Sequence, residues 1–132
     1  MTVPGKGKEF VPFPDSYDGF IAVPADKVRL GPDLGETTKI DLTNKGDLPI
    51  LYKAKCTSNK RIALLDCAGV IEPGKTAEVN LKRRKAKTDS PDMICIVYTL
   101  MGELGGDNAL YQWRRVNDQQ IPTKNIIIEV TV

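Results

Sequence analysis

The octet Gly69-Val70-Ile71-Glu72-Pro73-Gly74-Lys75-Thr76 satisfies the phosphate-loop pattern G-x-x-x-x-G-K-[ST] letter for letter. In a phosphate loop, backbone N–H groups and the start of a following helix cradle the phosphates. Here the residues after Thr76 run Ala77-Glu78-Val79-Asn80-Leu81-Lys82, apolar and polar in alternation. That period of two belongs to a strand, so no helix dipole is aimed at the loop. Pro73 also removes one N–H from any cradle. No carboxylate motif for magnesium follows an apolar strand in an α/β setting. The octet is therefore expected to be a β-turn, Pro73 and Gly74 in its middle positions, joining two strands.

The other residue types that do chemistry are sparse. There is no histidine among the 132 residues, which removes the usual general base and the usual zinc ligand. The three cysteines, Cys56, Cys67 and Cys95, contain no C-x-x-C pair and fall short of the four ligands of a closed zinc site. They are expected to be reduced and mostly buried. The sequence thus points to a protein that is not an enzyme, with no cofactor and no bound metal.

Charge is distributed more tellingly than its total. The net charge is only +2, yet residues 53–87 hold ten Lys/Arg against three acids, and the remainder holds nine against fourteen. A basic block of +7 facing an acidic remainder of −5 suits an acidic partner, a head-to-tail contact between copies, or simple solvation of exposed strand faces. Lys53, Lys55, Lys60 and Arg61 form the basic candidate surface. The run Lys82-Arg83-Arg84-Lys85-Ala86-Lys87 follows an alternating strand and leads into Thr88-Asp89-Ser90-Pro91, so it is expected to be exposed. It reads as partner contact or as protection of a strand edge. Nucleic acid is not an expected partner, because no aromatic residues are interleaved with the charges.

The elements that must carry these residues are short strands. Residues 1–16, with Pro4, Pro12 and Pro14, read as a flexible tail ahead of a domain spanning 17–132. The tail's Phe10-Val11-Pro12-Phe13-Pro14 segment could dock in a partner's groove or pack its phenylalanines on the domain. Strands are expected at Phe20–Val23, around Val28 and Leu30, and at Thr38–Thr43, Leu51–Thr57 and Ile62–Leu65. Further strands are expected at Val70–Ile71, Ala77–Leu81, Met93–Leu100 and Asn125–Val132. Met93–Leu100 is apolar on both faces and should be central. Helix content should be very low, a single turn near Asp107–Leu110, with Tyr111 and Trp113 anchoring the return from the Gly102–Gly106 loop. This is the pattern of an all-β, immunoglobulin-like antiparallel sandwich. The N-terminus has no apolar signal-peptide core, and the longest apolar run, Met93–Tyr98, is far short of the ~20 residues of a membrane helix. No transmembrane anchor is expected.

The strings Leu42-Thr43-Asn44, YKAKCTSNKR at 52–61 and AGVIEPG at 68–74 follow one another in an order by which the chain resembles the major-sperm-protein domain family. MICIVYTL at 93–100 and KNIIIEV at 124–130 look like the nematode sperm members. The resemblance covers about Phe20 to Val132. It implies a seven-stranded PapD-like sandwich. It also implies a cytoplasmic role in the actin-free cytoskeleton of the sperm pseudopod, as filament subunit or accessory protein, through contacts with other such domains or with itself. A second branch of the family holds acidic phenylalanine-containing peptides at membrane contact sites. Its peptide-binding pattern maps onto Lys55 and Thr57, and onto Met93 and Cys95, where that branch has a lysine and a methionine. Asp66 stands near a position where the family usually has proline.

Overall fold

Alternation of apolar and polar side chains becomes ten strands and one helix in a computed structural model that describes residues 10–65, 67–84, 92–102 and 108–131. In chain order these are β1 (Phe10–Val11), β2 (Phe20–Val23), β3 (Lys27–Arg29), β4 (Thr37–Asn44), β5 (Ile50–Cys56) and β6 (Ile62–Leu65). There follow β7 (Ala68–Ile71), β8 (Thr76–Arg83), β9 (Asp92–Met101), α1 (Ala109–Gln119) and β10 (Lys124–Thr131). One sheet has the order β3-β10-β9-β5-β7, with β1 on β9; the other is β2-β4-β8-β6. All pairings are antiparallel except β3 with β10, which is parallel.

The two-sheet sandwich matches the sequence expectation. Two short pairs, β2 with β3 and β6 with β7, carry the chain from an edge of one sheet to an edge of the other. Counted as one split strand each, they leave seven main strands, plus the two-residue β1. Short, split edges limit the unpaired backbone that would invite other chains.

Strand β9 is central, as its doubly apolar pattern requires. It pairs with β5 along one side and with β10 along the other. Ile94, Ile96, Tyr98 and Leu100 point into the core between the sheets, against Tyr52, Ala54, Ile40 and Leu81. The opposite face of the same sheet has its own apolar cluster. Leu51 and Met101 gather there with Phe10, and Trp113 and Val116 of α1 pack on them.

Helix α1 is longer than the single turn expected. Its N-cap is Asn108, whose Oδ1 accepts the Tyr111 N–H at 3.0 Å. Its buried stripe is narrow, Gln112, Trp113 and Val116, which is why no helical period stands out in the sequence. Trp113 anchors the segment as expected, donating Nε1–H to the Tyr52 carbonyl at 3.0 Å. Tyr111 does not; it faces outward and is 55% exposed. The Gly102–Gly106 loop between β9 and the helix falls largely outside the described residues.

Part of the expected tail belongs to the sandwich. Val11 pairs with Leu100 and Phe10 with Met101. Phe13 lies against Tyr17 and Tyr98, with ring centroids 5.3 and 5.7 Å apart. The phenylalanines pack on their own domain.

Candidate protein-contact site

The phosphate-loop octet forms strand, turn, strand. Lys75 N–H bonds the Glu72 carbonyl at 3.0 Å and Gly74 has φ +80°, a turn with Pro73 and Gly74 in the middle. The turn joins β7 of one sheet to β8 of the other. Its N–H groups are already engaged: Gly74 N–H donates to the Asn44 carbonyl at 2.8 Å. Asn44, fully buried, locks the turn by donating Nδ2–H to the Ile71 and Leu48 carbonyls, both at 2.8 Å. Gly69 serves packing: it lies directly opposite Tyr52, and a Cβ there would sit 3.1 Å from the tyrosine ring. The octet therefore holds two strands together and leaves no cradle open.

The basic candidates divide into an engaged group and an available group. Thr57 and Arg61 are engaged around Asp92, which is only 3% exposed. Arg61 donates Nη2–H to Asp92 Oδ1 at 2.6 Å and Nε–H to both carboxylate oxygens at 3.0 and 3.1 Å. Thr57 adds its hydroxyl at 2.8 Å and accepts the Met93 N–H at 3.2 Å. The hydrogen bonds from Arg61 hold the Asp92 carboxyl below the usual carboxylate range against the opposing effect of burial, and the carboxylate in turn raises Arg61. This network ties the bend after β5 to the start of β9. The sequence reading passed over Asp92, yet it carried a signal. A carboxylate directly ahead of an apolar strand must find a cation as the strand is buried.

Lys53 is half-buried rather than fully exposed. Its ammonium sits 4.5 Å from the centre of the Trp113 ring. Burial, and then the neighbouring Lys55, lower its pKa. Lys55 is exposed and lies directly opposite Cys95, so both share the outer face of the sheet with Met93. Ile127, 48% exposed, lies on the far side of Cys95 on β10. The structure thus brings Lys53, Lys55, Met93 and Cys95 onto one face of the sheet, with Lys53 against Trp113 of the helix. Lys60 is exposed in the turn that follows Thr57.

The run at 82–87 was expected to be exposed, and Arg83 corrects that. It is 2% exposed and bonds the Leu30 and Gly31 carbonyls at 3.2 and 3.1 Å. Alternation explains the difference: Arg83 falls on the inward phase of β8 while Lys82 faces out. Arg84 is exposed, and its Nη1–H bonds the Asn59 carbonyl at 2.9 Å. Lys85, Ala86 and Lys87 lie outside the described residues, as does Asp66. Lys55, Asn59 and Arg84 border a cleft of about 500 Å³ that also meets Cys56 and Cys67. All three thiols are free, but they are less buried than expected: Cys67 is exposed, Cys56 and Cys95 partly so. Among the described residues no group of three metal-ligating side chains comes together.

No curated protein matches the sequence closely enough to count as a relative. Solved structures do match the fold. A Caenorhabditis elegans MSP-domain-like family member, SSP-19, superposes with a TM-score of 0.65 at 19% identity, covering 84% of this chain and 98% of that one. WR4, an MSP family member of the same organism, gives 0.69 at 14% identity, covering 88% and 99%. The PapD-like domain 7 of human CEP192 gives 0.53 at 10% identity, covering 99% and 89%. At these identities the likeness concerns the fold. The sequence profile of the MSP (major sperm protein) domain matches residues 21–116. On that match, which spans most of the sandwich, the chain belongs to the major sperm protein domain family.

Proposed function

We propose that this chain is a non-catalytic structural or accessory protein of an MSP-based sperm cytoskeleton. On this reading it acts in amoeboid motility through contacts with other sandwich domains, in the cytoplasm of the pseudopod. The observation that carries the reading is the family match over residues 21–116. It is supported by the exposed cations Lys55, Lys60 and Arg84, gathered at one end of the sandwich. Such a surface guides encounter with an acidic partner and fixes its register. Arg61 and Thr57 serve it indirectly by holding the bend that presents Lys60. Among the described residues no helix is long and apolar enough to cross a membrane. The test is co-sedimentation of the full chain with MSP filaments assembled in a sperm extract, checked by negative-stain microscopy. The chain is expected in the pellet, and Lys55→Glu with Lys60→Glu is expected to cut its recovery at least about tenfold. A wild-type chain that stays in the supernatant ends this reading.

A second reading is an adaptor that binds acidic phenylalanine-containing peptides. Lys55 beside Cys95 and Met93 on the outer face favours it. Against it, the Thr57 hydroxyl already donates to Asp92. Titration with a labelled peptide of that type decides the matter: unchanged amide shifts at Lys55 and Thr57 dismiss it.

A further inference from the structure

The chain crosses from one sheet to the other between β6 and β7, and the cleft of about 500 Å³ lies beside that crossing. Its apolar wall is Ala54 of β5 with Ile62 and Leu64 of β6. Two of the three thiols, Cys56 and Cys67, line it together with the cations Lys55 and Arg84, and its described lining holds no acidic residue. The sheet register puts the two thiols side by side. Lys53 pairs with Ala68, and one rung further the Ala54 N–H donates to the Cys67 carbonyl at 2.6 Å. Cys56 follows Ala54 by two residues on β5, so it stands on the same face of the strand, diagonal to Cys67. Cys67 is exposed and Cys56 partly buried. Cys56 also lies close enough to Arg61 for their charges to interact. Partly exposed, electropositive surroundings of this kind are where reactive cysteines are found.

We propose that Cys56 and Cys67 form a redox pair that exchanges with a small anionic disulfide of the glutathione class, Cys67 taking the incoming group and Cys56 displacing it. The cleft falls within the range of about 300–1,000 Å³ usual for small-molecule sites. Lys55 and Arg84 on its lining suit the carboxylates of such a tripeptide. The exposed Cys67 thiolate attacks one sulfur of the oxidised tripeptide. The Cys67–sulfur bond forms, the tripeptide's S–S bond breaks, and one reduced tripeptide leaves as its thiolate. The Cys56 thiolate then attacks the Cys67 sulfur, and the second reduced tripeptide leaves. Two protein thiols have lost two electrons to the incoming disulfide, and their protons end on the two tripeptides released. Diagonal neighbours in a sheet stand about 7–8 Å apart between Cα atoms, and a relaxed disulfide spans about 4.4–6.8 Å. Closing the bond therefore draws Cys67 inward by roughly 1 Å. That movement falls on the crossing and on β7, a four-residue edge strand, because β5 is held between β7 and β9. In a reducing compartment such a pair is transient and sensing rather than structural.

The test treats the reduced full chain with excess glutathione disulfide at neutral pH, traps the remaining thiols by alkylation, and maps them by peptide mass spectrometry. The wild type is expected to end with a Cys56–Cys67 disulfide and no retained adduct. Cys56→Ser is expected to hold one glutathionyl group at Cys67. Cys67→Ser is expected to react at Cys56 at least about tenfold more slowly. Cys95, on the outer face of the sheet and outside the cleft, is expected to stay reduced over the same period. Lys55→Gln with Arg84→Gln is expected to slow the reaction of Cys67 with glutathione disulfide by about tenfold, and to leave its reaction with the uncharged hydroxyethyl disulfide unchanged. A wild type that retains the adduct without forming the disulfide overturns the proposal. So does a Cys95 that reacts as fast as Cys67, or a charge variant that slows both reagents alike. Circular-dichroism melts establish that each variant is folded, and Cys56→Ala replaces Cys56→Ser if the serine variant is not. None of these outcomes depends on filament binding, so the proposed function and the redox pair stand or fall separately.

Discussion

Asp92 shows how one side chain converts a candidate binding set into a partly structural one. It takes one or more hydrogen bonds from each of Arg61 and Thr57 while almost fully buried. Hydrogen bonds to a charged acceptor are the strong kind, and removing the acceptor strands its donors. Asp92→Asn should therefore lower stability by about 2 kcal/mol at neutral pH, measured as a shift in the urea midpoint. The pH dependence has a definite sign. The folded carboxyl titrates below its unfolded value of about 3.9, so its contribution is complete above about pH 5 and is lost as pH falls through 4 toward the lower folded value. The wild-type midpoint should drop across that window and the Asp92→Asn midpoint should drop less. Equal slopes for the two proteins would mean that Arg61 and Thr57 do not stabilise the carboxylate. Lys39 presents the contrasting case: it meets Glu78 at 2.7 Å, but both groups are exposed and the pair contributes little to stability.

The elements differ in how well the chain announces them. Strands β4 and β8 alternate apolar with polar residues, β5 and β10 do so outside the apolar runs at 50–52 and 126–128, and each appears on the expected phase, with Ile40 and Leu42, Tyr52 and Ala54, Val79 and Leu81, and Ile128 and Val130 inward. Arg83 obeys the same phase, but a charge at an inward position is read from the sequence as surface; the carbonyls of Leu30 and Gly31, brought from far along the chain, and the charge of Asp92 help to offset its burial. Helix α1 was hidden for a related reason. Its apolar stripe is short because what it buries is supplied by other elements, Leu51 on β5 and Met101 on β9. A patch assembled across strands has no periodic signature in any one of them. The half-buried state of Lys53 under Trp113 was hidden with it. If Trp113 is what fastens the helix, Trp113→Ala should cost about 3–5 kcal/mol in denaturant unfolding. Trp113→Phe keeps most of the ring and loses the bond to the Tyr52 carbonyl, so its cost should be nearer 1 kcal/mol. An alanine variant as stable as wild type would show that the helix contributes nothing to the sheet it covers.

At the scale of the whole molecule, the topology sets an order of stability. Strand β9 has neighbours on both sides along nearly its whole length and apolar packing on both faces. Strands β3, β6 and β7 have one neighbour each, are three or four residues long, and stand at the sheet edges. Local opening frees a segment at the cost of the contacts it alone makes, so edges open first and the centre opens only with the whole fold. Amide exchange should follow that order. The amides of Ile94, Ile96 and Tyr98 should exchange slowest, at rates set by global unfolding. Those of β6 and β7 should exchange fastest among the strands. The arrangement has a consequence for function, because Lys60 and Arg61 directly precede β6 and the cleft that Lys55 and Arg84 border includes its Ile62 and Leu64. The surface proposed to meet another domain is thus built beside the least protected strand, while its Lys55 stands on β5, held between β9 and β7. Binding of a partner at that end should therefore slow exchange in β6 and the turn before it, and leave β9 unchanged. Protection appearing at β2 or β3 on addition of filaments, with β6 unaffected, would move the contact to the other side of the sandwich.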